Sequence, residues 1–172
     1  MNTVSLIRNQ TKVAHDWLEA TMADVTPDMA HRPAPGIAHP IGSRYAHLAV
    51  SEDNLLAMVT KSAPIHSTTW QGKTGIPNPQ DAFGSAFEWA QSVKVDLDAL
   101  RQYKQAVYAN TDEYLASLQE SALDAEIDLT EWGMGKWSVG DFLVAFLIGH
   151  VRDIMGEITA IKGVHGLKGY PF

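Results

Sequence analysis

The sequence predicts an all-α protein: a four-helix bundle with long crossover loops and room for one extra short helix. Three observations predict it. Apolar residues recur at three- and four-residue steps in four separate stretches. Two connections between those stretches, residues 26–40 and 61–80, are long and rich in proline and glycine. No series of alternating segments is present from which a sheet could be built. Helices with one apolar stripe and no sheet to cover bury their stripes on each other. The length, 172 residues, suits a single domain over 1–172 with its own core.

The first helix spans residues 3–23. Ile7, Ala14, Leu18 and Met22 form its stripe, and Pro27 ends the run. Pro27, Pro33, Pro35, Gly36 and Pro40 keep residues 26–40 out of regular helix. The second helix spans residues 41–60, with the stripe Ile41, Tyr45, Leu48, Leu55, Leu56 and Val59. Glu52 falls in the middle of that stripe, where a carboxylate is costly unless paired. Residues 61–80 read as loop again. Asn78 is placed to cap a helix that has Pro79 in its first turn and Asp81 near its positive end.

From Ala86 to Leu118 a seam repeats about every 3.5 residues, the period of helices packed side by side, and Lys104 falls in it. The charged, β-branched stretch at residues 92–96 divides it into a short helix at 80–91 and a long one at 96–120. Residues 121–137 alternate weakly and read as an extended connection. Ser138 with Asp141 resembles a capping box opening the last helix, residues 139–161. Its first half, Phe142 to Ile148, is apolar on all sides and therefore central. Gly149, Gly156 and Gly163 share one side, where they would let another helix approach closely.

The formal charge is −7, with no run of Lys or Arg. That argues against nucleic acid and anionic membranes as partners, since both need a basic surface. There is no cysteine, which excludes a disulfide framework, a thiolate metal site and a cysteine nucleophile. The N-terminal residues lack the apolar stretch of a signal peptide, and the longest apolar run is far short of the ~20 residues of a membrane span. The expectation is a cytoplasmic protein.

Polar residues in the apolar stripes are the candidates for function. His150 and Glu157 share the stripe of Leu143, Leu147, Ile154, Ile158 and Ile161. Asp153, three residues after His150, can face the same neighbourhood, and a His/carboxylate pair at that spacing suits a divalent ion. The plainer alternatives are a core histidine bonded to a backbone carbonyl or a buried water, and a solvated Asp153 or one paired with Arg152. Glu157 lies about two turns, ~10 Å, from His150, so it more naturally holds a neighbouring helix or a loop amide. His47 and Glu52 sit about 140° apart on the second helix and cannot both face one point. His15, His31, His39 and His66 fall on an exposed face or in loops, and His165 in the Gly-rich tail. No nucleophile-elbow, P-loop, dinucleotide or zincin motif is present.

Three stretches carry a family resemblance. The first is His31-Arg-Pro-Ala-Pro-Gly36 followed by Ile41-Gly-Ser-Arg-Tyr-Ala-His47-Leu-Ala-Val-Ser-Glu52-Asp53. The second is Trp137-Ser-Val-Gly-Asp141 leading to His150 and Gly156-Glu157-Ile158, and the third is the tail from Gly163 to Phe172. Co-linear over most of the chain, they resemble the DinB-like (DinB/YfiT) superfamily of bacterial helical-bundle proteins. The resemblance implies a divalent ion, usually zinc or nickel, on three histidines: one on the second helix and two on the last helix at i and i+4. His47 and His150 match two of them, and the third position is Ile154, which cannot ligate. Relatives include thiol S-transferases that use a low-molecular-weight thiol such as bacillithiol or mycothiol, and homodimers are common.

Two function classes follow. The favoured one is a metal-free or weakly metal-binding protein with a degenerate site, whose pocket for a small-molecule ligand involves Glu52, Glu157 and Ile154. The alternative is a metal-dependent thiol S-transferase or hydrolase-type enzyme, with zinc or nickel on His47, His150 and Asp153 and with Glu52 as the catalytic acid that orients the thiol.

Overall fold

The computed structural model describes residues 2–172. Helix dominates. The elements run α1 (Thr3–Met22), α2 (Pro27–Ala30), α3 (Ile41–Thr60), α4 (Pro79–Gly84), α5 (Phe87–Ser92), α6 (Leu97–Ser117), β1 (Glu126–Leu129), β2 (Gly135–Ser138), α7 (Val139–Leu143) and α8 (His150–Val164). A π-helical segment, Val144–Gly149, joins α7 to α8. Among the described residues no helix is long and apolar enough to cross a membrane.

Local chemistry sets most boundaries. The Asn2 side chain accepts the Ser5 N–H at 2.8 Å and opens α1. Asp96 accepts from Asp98 and Ala99, both at 3.1 Å, and opens α6. Half of the Ser138–Asp141 box forms: the Asp141 N–H donates to Ser138 Oγ at 3.0 Å, while the Asp141 carboxylate accepts the Ser138 hydroxyl at 2.8 Å. Asn78 departs from expectation: it takes a left-handed φ of 49° and its side chain makes no cap bond, so Pro79 alone starts α4. The proline-rich segment at 26–40 also holds the short α2, which Thr26 caps through the Met29 N–H at 3.3 Å.

The seam at 86–118 divides at residues 92–96 as its sequence suggests, but the single short helix expected at 80–91 is broken in two, because Ser85 takes a left-handed φ of 48° between α4 and α5. The chain leaves α5 in extended geometry at Val93 and restarts at Leu97. The Asp96 N–H donates to Gly75 O at 2.8 Å, which ties the 61–78 loop to the start of α6. A Cβ at Gly75 would lie 2.4 Å from Asp96 O, and φ there is +73°, so only glycine allows this approach. Asp53 holds the other end of that loop. It accepts the Ile65 and His66 N–H groups, both at 2.9 Å, and the Tyr103 hydroxyl at 2.6 Å.

The extended connection is a two-stranded antiparallel hairpin with Ile127 opposite Trp137. The glycine series on the last helix does not serve close packing. A Cβ at Gly156 or Gly163 would meet nothing within 4 Å, and at Gly149 only Val144 O at 3.6 Å. That side faces open space rather than a neighbour.

α1 and α3 each pack on α6 and α8. The largest apolar cluster lies between them, with Leu18, Met22, Leu48, Leu100, Val151 and Ile158 fully or almost fully buried. A second cluster, including Ile7, Leu115, Leu143 and Leu147, fills the end beneath α7. Burial of such side chains contributes roughly 1.5–3 kcal/mol each.

Candidate functional site

His47 projects from α3 and His150 is the first residue of α8, just after the π-helical turn. Such wider turns recur at functional sites because they re-aim the residue that follows. The two Nε2 atoms lie 3.1 Å apart, with the rings nearly perpendicular. His47 Nδ1 is 2.9 Å from Ala82 O of α4. A carbonyl only accepts, so Nδ1 carries the His47 proton and Nε2 carries the lone pair. His150 Nε2–H therefore donates to His47 Nε2.

Burial lowers the pKa of both rings. In His47 the Ala82 bond opposes this only in part. In His150 burial and the neighbouring His47 together bring the value to about 4. Both rings are neutral near pH 7. A histidine with a depressed folded pKa binds its proton more readily in the unfolded chain, so stability is lost as pH falls from 6.5 towards 4. The His150 contribution is on the order of 3 kcal/mol. Urea unfolding of wild type should weaken across that range, and His150→Gln should show a flatter profile. Parallel profiles would refute the assignment of His150 as a buried neutral base.

The surroundings bear on whether a metal fits. Two nitrogens on one tetrahedral zinc, at about 2.1 Å each, would stand about 3.4 Å apart, close to the spacing here. Ile154 lies one turn after His150 on the same face, 6% exposed in the main apolar cluster. It offers no donor atom. Asp153, next to it, is exposed. Among the described residues no group of three His, Cys, Asp or Glu side chains is placed to hold an ion. The pair supplies two ligands, and the three protein ligands of a catalytic metal centre are not assembled.

Glu157 is half-exposed and forms a 2.6 Å ion pair with Arg44, linking α8 to α3 beside the pair. Arg44 also donates to Ser85 Oγ at 3.2 Å. Glu52 turns the other way, towards α1 and α6. Its Oε2 is 3.0 Å from His15 Nε2, and its Oε1 accepts the Thr111 hydroxyl at 2.7 Å. Among the described residues it has no hydrogen bond to His47 or His150, which corrects its expected place in their pocket; the separation of about 140° on α3 is the reason. Burial pushes the Glu52 carboxyl up. His15, with Lys104 and the Thr111 hydroxyl, more than reverses that and leaves it below the ordinary range.

His15 corrects the sequence reading. It is 7% exposed, not on an exposed face. The signal was present: Thr11, His15, Leu18 and Met22 follow four-, three- and four-residue steps. His66 is buried as well, beneath its loop. His31 Nε2 accepts the Val95 N–H at 3.0 Å and joins the 26–40 segment to the start of α6.

Comparison with known proteins bears on the family and the fold. The family model described as the DinB superfamily matches residues 10–158. No curated protein matches the chain. The crystal structure of a conserved protein from Enterococcus faecalis is similar with a TM-score of 0.74 at 24% identity, covering 95% of this chain and 99% of that one. At that identity the likeness speaks for the fold. With the family match covering most of its length, the chain belongs to the DinB superfamily.

Proposed function

We propose that α1, α3, α6 and the α7–α8 helix form a four-helix bundle whose His47–His150 pair is a degenerate metal site. It binds divalent ions weakly or not at all and serves to bind a small molecule. One observation carries this reading: Ile154, buried and without a donor atom, stands one turn after His150 where a third ligand would be needed. The pair presents the unprotonated Nδ1 of His150 as an acceptor, which suits a ligand that carries a hydrogen-bond donor.

The test is Ile154→His. The variant should gain a zinc or nickel site. Ion at a hundred times its Kd should then stabilise it by about 2.7 kcal/mol. For a chain of this size that is a rise in Tm of roughly 5–10 °C. Wild type should shift far less at the same ion concentration. A variant that gains no metal site would refute the helix register assumed here.

A second reading, a metal-dependent thiol S-transferase or hydrolase-type enzyme using His47, His150 and Asp153, draws support from the His47 tautomer. An Nδ1–H held by a carbonyl is the usual outer support of a metal-ligating histidine. Stoichiometric metal in wild-type protein purified without an affinity tag would favour that reading over the first.

A further inference from the structure

On the far side of α3, His15 and Thr111, the two partners of Glu52, line a cleft between α1 and α6 of about 510 Å³. We propose that this cleft is a second ligand site, for a neutral polyhydroxyl molecule of about monosaccharide size anchored on His15 and Thr11. The volume lies within the usual span of small-molecule sites, roughly 300–1,000 Å³.

The floor defines the hydrogen bonding. Both Glu52 oxygens are engaged, one by Thr111 and one by His15 Nε2. A carboxylate only accepts, so His15 carries a proton on Nε2, and Nδ1 is the ring's remaining polar atom. The ring is held in place by stacking on Tyr108, with centroids 3.7 Å apart and planes 18° from parallel. One turn earlier on α1, Thr11 lines the same cleft. Its hydroxyl is buried and has no hydrogen-bond partner among the described residues. Valine would fill the same volume without leaving a polar atom unsatisfied, so the hydroxyl points to a role that the protein alone does not supply. The His15 ring nitrogen and the Thr11 hydroxyl share one face, about 5–6 Å apart at their Cβ atoms, and sugar hydroxyls, which both donate and accept, can bridge them.

The rim defines the charge. Arg8 and Asp112 form a bidentate pair across the cleft, at 2.6 and 2.7 Å. Lys12 pairs with Asp16 at 2.7 Å. Each rim cation is already matched by an anion, so the cleft favours a neutral ligand over a phosphate, a carboxylate or an amine.

The probes are D-glucose, D-ribose and myo-inositol, with sodium acetate and ammonium chloride as charged controls, read by amide chemical shifts of isotope-labelled protein. At least one neutral probe should give saturable shifts confined to α1 and α6 in the millimolar range, and the charged controls should not. Thr11→Val should weaken binding roughly tenfold or more while leaving Tm unchanged or raised. His47→Ala should bind the probe as wild type does. Shifts that saturate for no neutral probe would mean that the cleft holds only water, and the proposal would fall. Saturation by acetate alone, or wild-type affinity in Thr11→Val, would overturn it equally.

Discussion

Glu52→Ala is expected to lower the unfolding free energy by about 3–5 kcal/mol, the usual cost of removing one partner of a buried ion network. Glu52 is 2% exposed, and the alanine would leave three groups short at once. His15 Nε2–H and the Thr111 hydroxyl would lose their acceptor. The Lys104 ammonium would keep only Glu19 as a nearby anion. Glu52→Gln keeps the shape and one acceptor, so its loss should be smaller, about 1–3 kcal/mol. The pH dependence separates charge from shape. A carboxyl with a depressed folded pKa contributes stability above its unfolded value, and that contribution is lost as pH falls through the folded value. The gap between wild type and Glu52→Gln should therefore begin to narrow only below about pH 4.5, the ordinary value for this group, and close once pH is below the depressed folded value. Urea unfolding across the acid range reads both effects. An alanine variant within 1 kcal/mol of wild type would show that Glu52 is not the hub of the network.

Particular residues show how far the sequence could be read. α3 falls on the expected bounds because its ends are punctuated locally: Pro40 precedes it, and Lys61 takes a left-handed φ of 54° after it. Asn78 failed as a cap although its residue type is right. Capping needs extended backbone, and that geometry is set by how the 61–78 loop docks on α6, not by the residue. The glycines at 149, 156 and 163 shared a face as expected, but periodicity does not say whether a face meets a helix or solvent.

The candidate site divides in the same way. The angle between His47 and Glu52 on α3 was calculable from spacing, yet both expected functions placed Glu52 at the His47–His150 pocket, and its bonds go to His15 and Thr111 instead. What each residue bonds to was not calculable. Ala82 O and His15 come from elements distant in sequence, and only the packing of α4 and α1 on α3 brings them there. His15 is polar, but its place in the α1 stripe is what decides its burial. A polar residue on an apolar stripe is better taken as buried with a partner yet to be found.

Lys104→Met is expected to act in the opposite direction to Glu52→Ala and to stabilise the protein by about 1–3 kcal/mol near neutral pH. Lys104 is fully buried, and its Nζ has no hydrogen-bond partner among the described residues. The ammonium lies 4.9 Å from the Tyr108 ring centre and 5.3 Å from that of Tyr45. Such contacts return up to about 2 kcal/mol when desolvated, against several kcal/mol for burying the ion. Burial lowers the lysine pKa, and Glu52 and Glu19 only partly restore it, so the charge is a net cost to the fold. Methionine keeps the length and the contact with both rings and removes that cost. The two acids stay bonded without it: Glu52 to His15 and Thr111, and Glu19 to the hydroxyls of Tyr45 and Tyr108. A lysine with a depressed folded pKa makes wild type gain stability as pH rises from that value towards 10.5, and Lys104→Met should lack this alkaline gain. A methionine variant less stable than wild type would mean that buried water or the aromatic rings stabilise the ammonium more than its burial costs. The double variant tests the coupling. With Lys104 gone, removal of Glu52 no longer strands a buried cation, so its cost should shrink by about 0.5–3 kcal/mol. An unchanged cost would place the importance of Glu52 in its bonds to His15 and Thr111 alone.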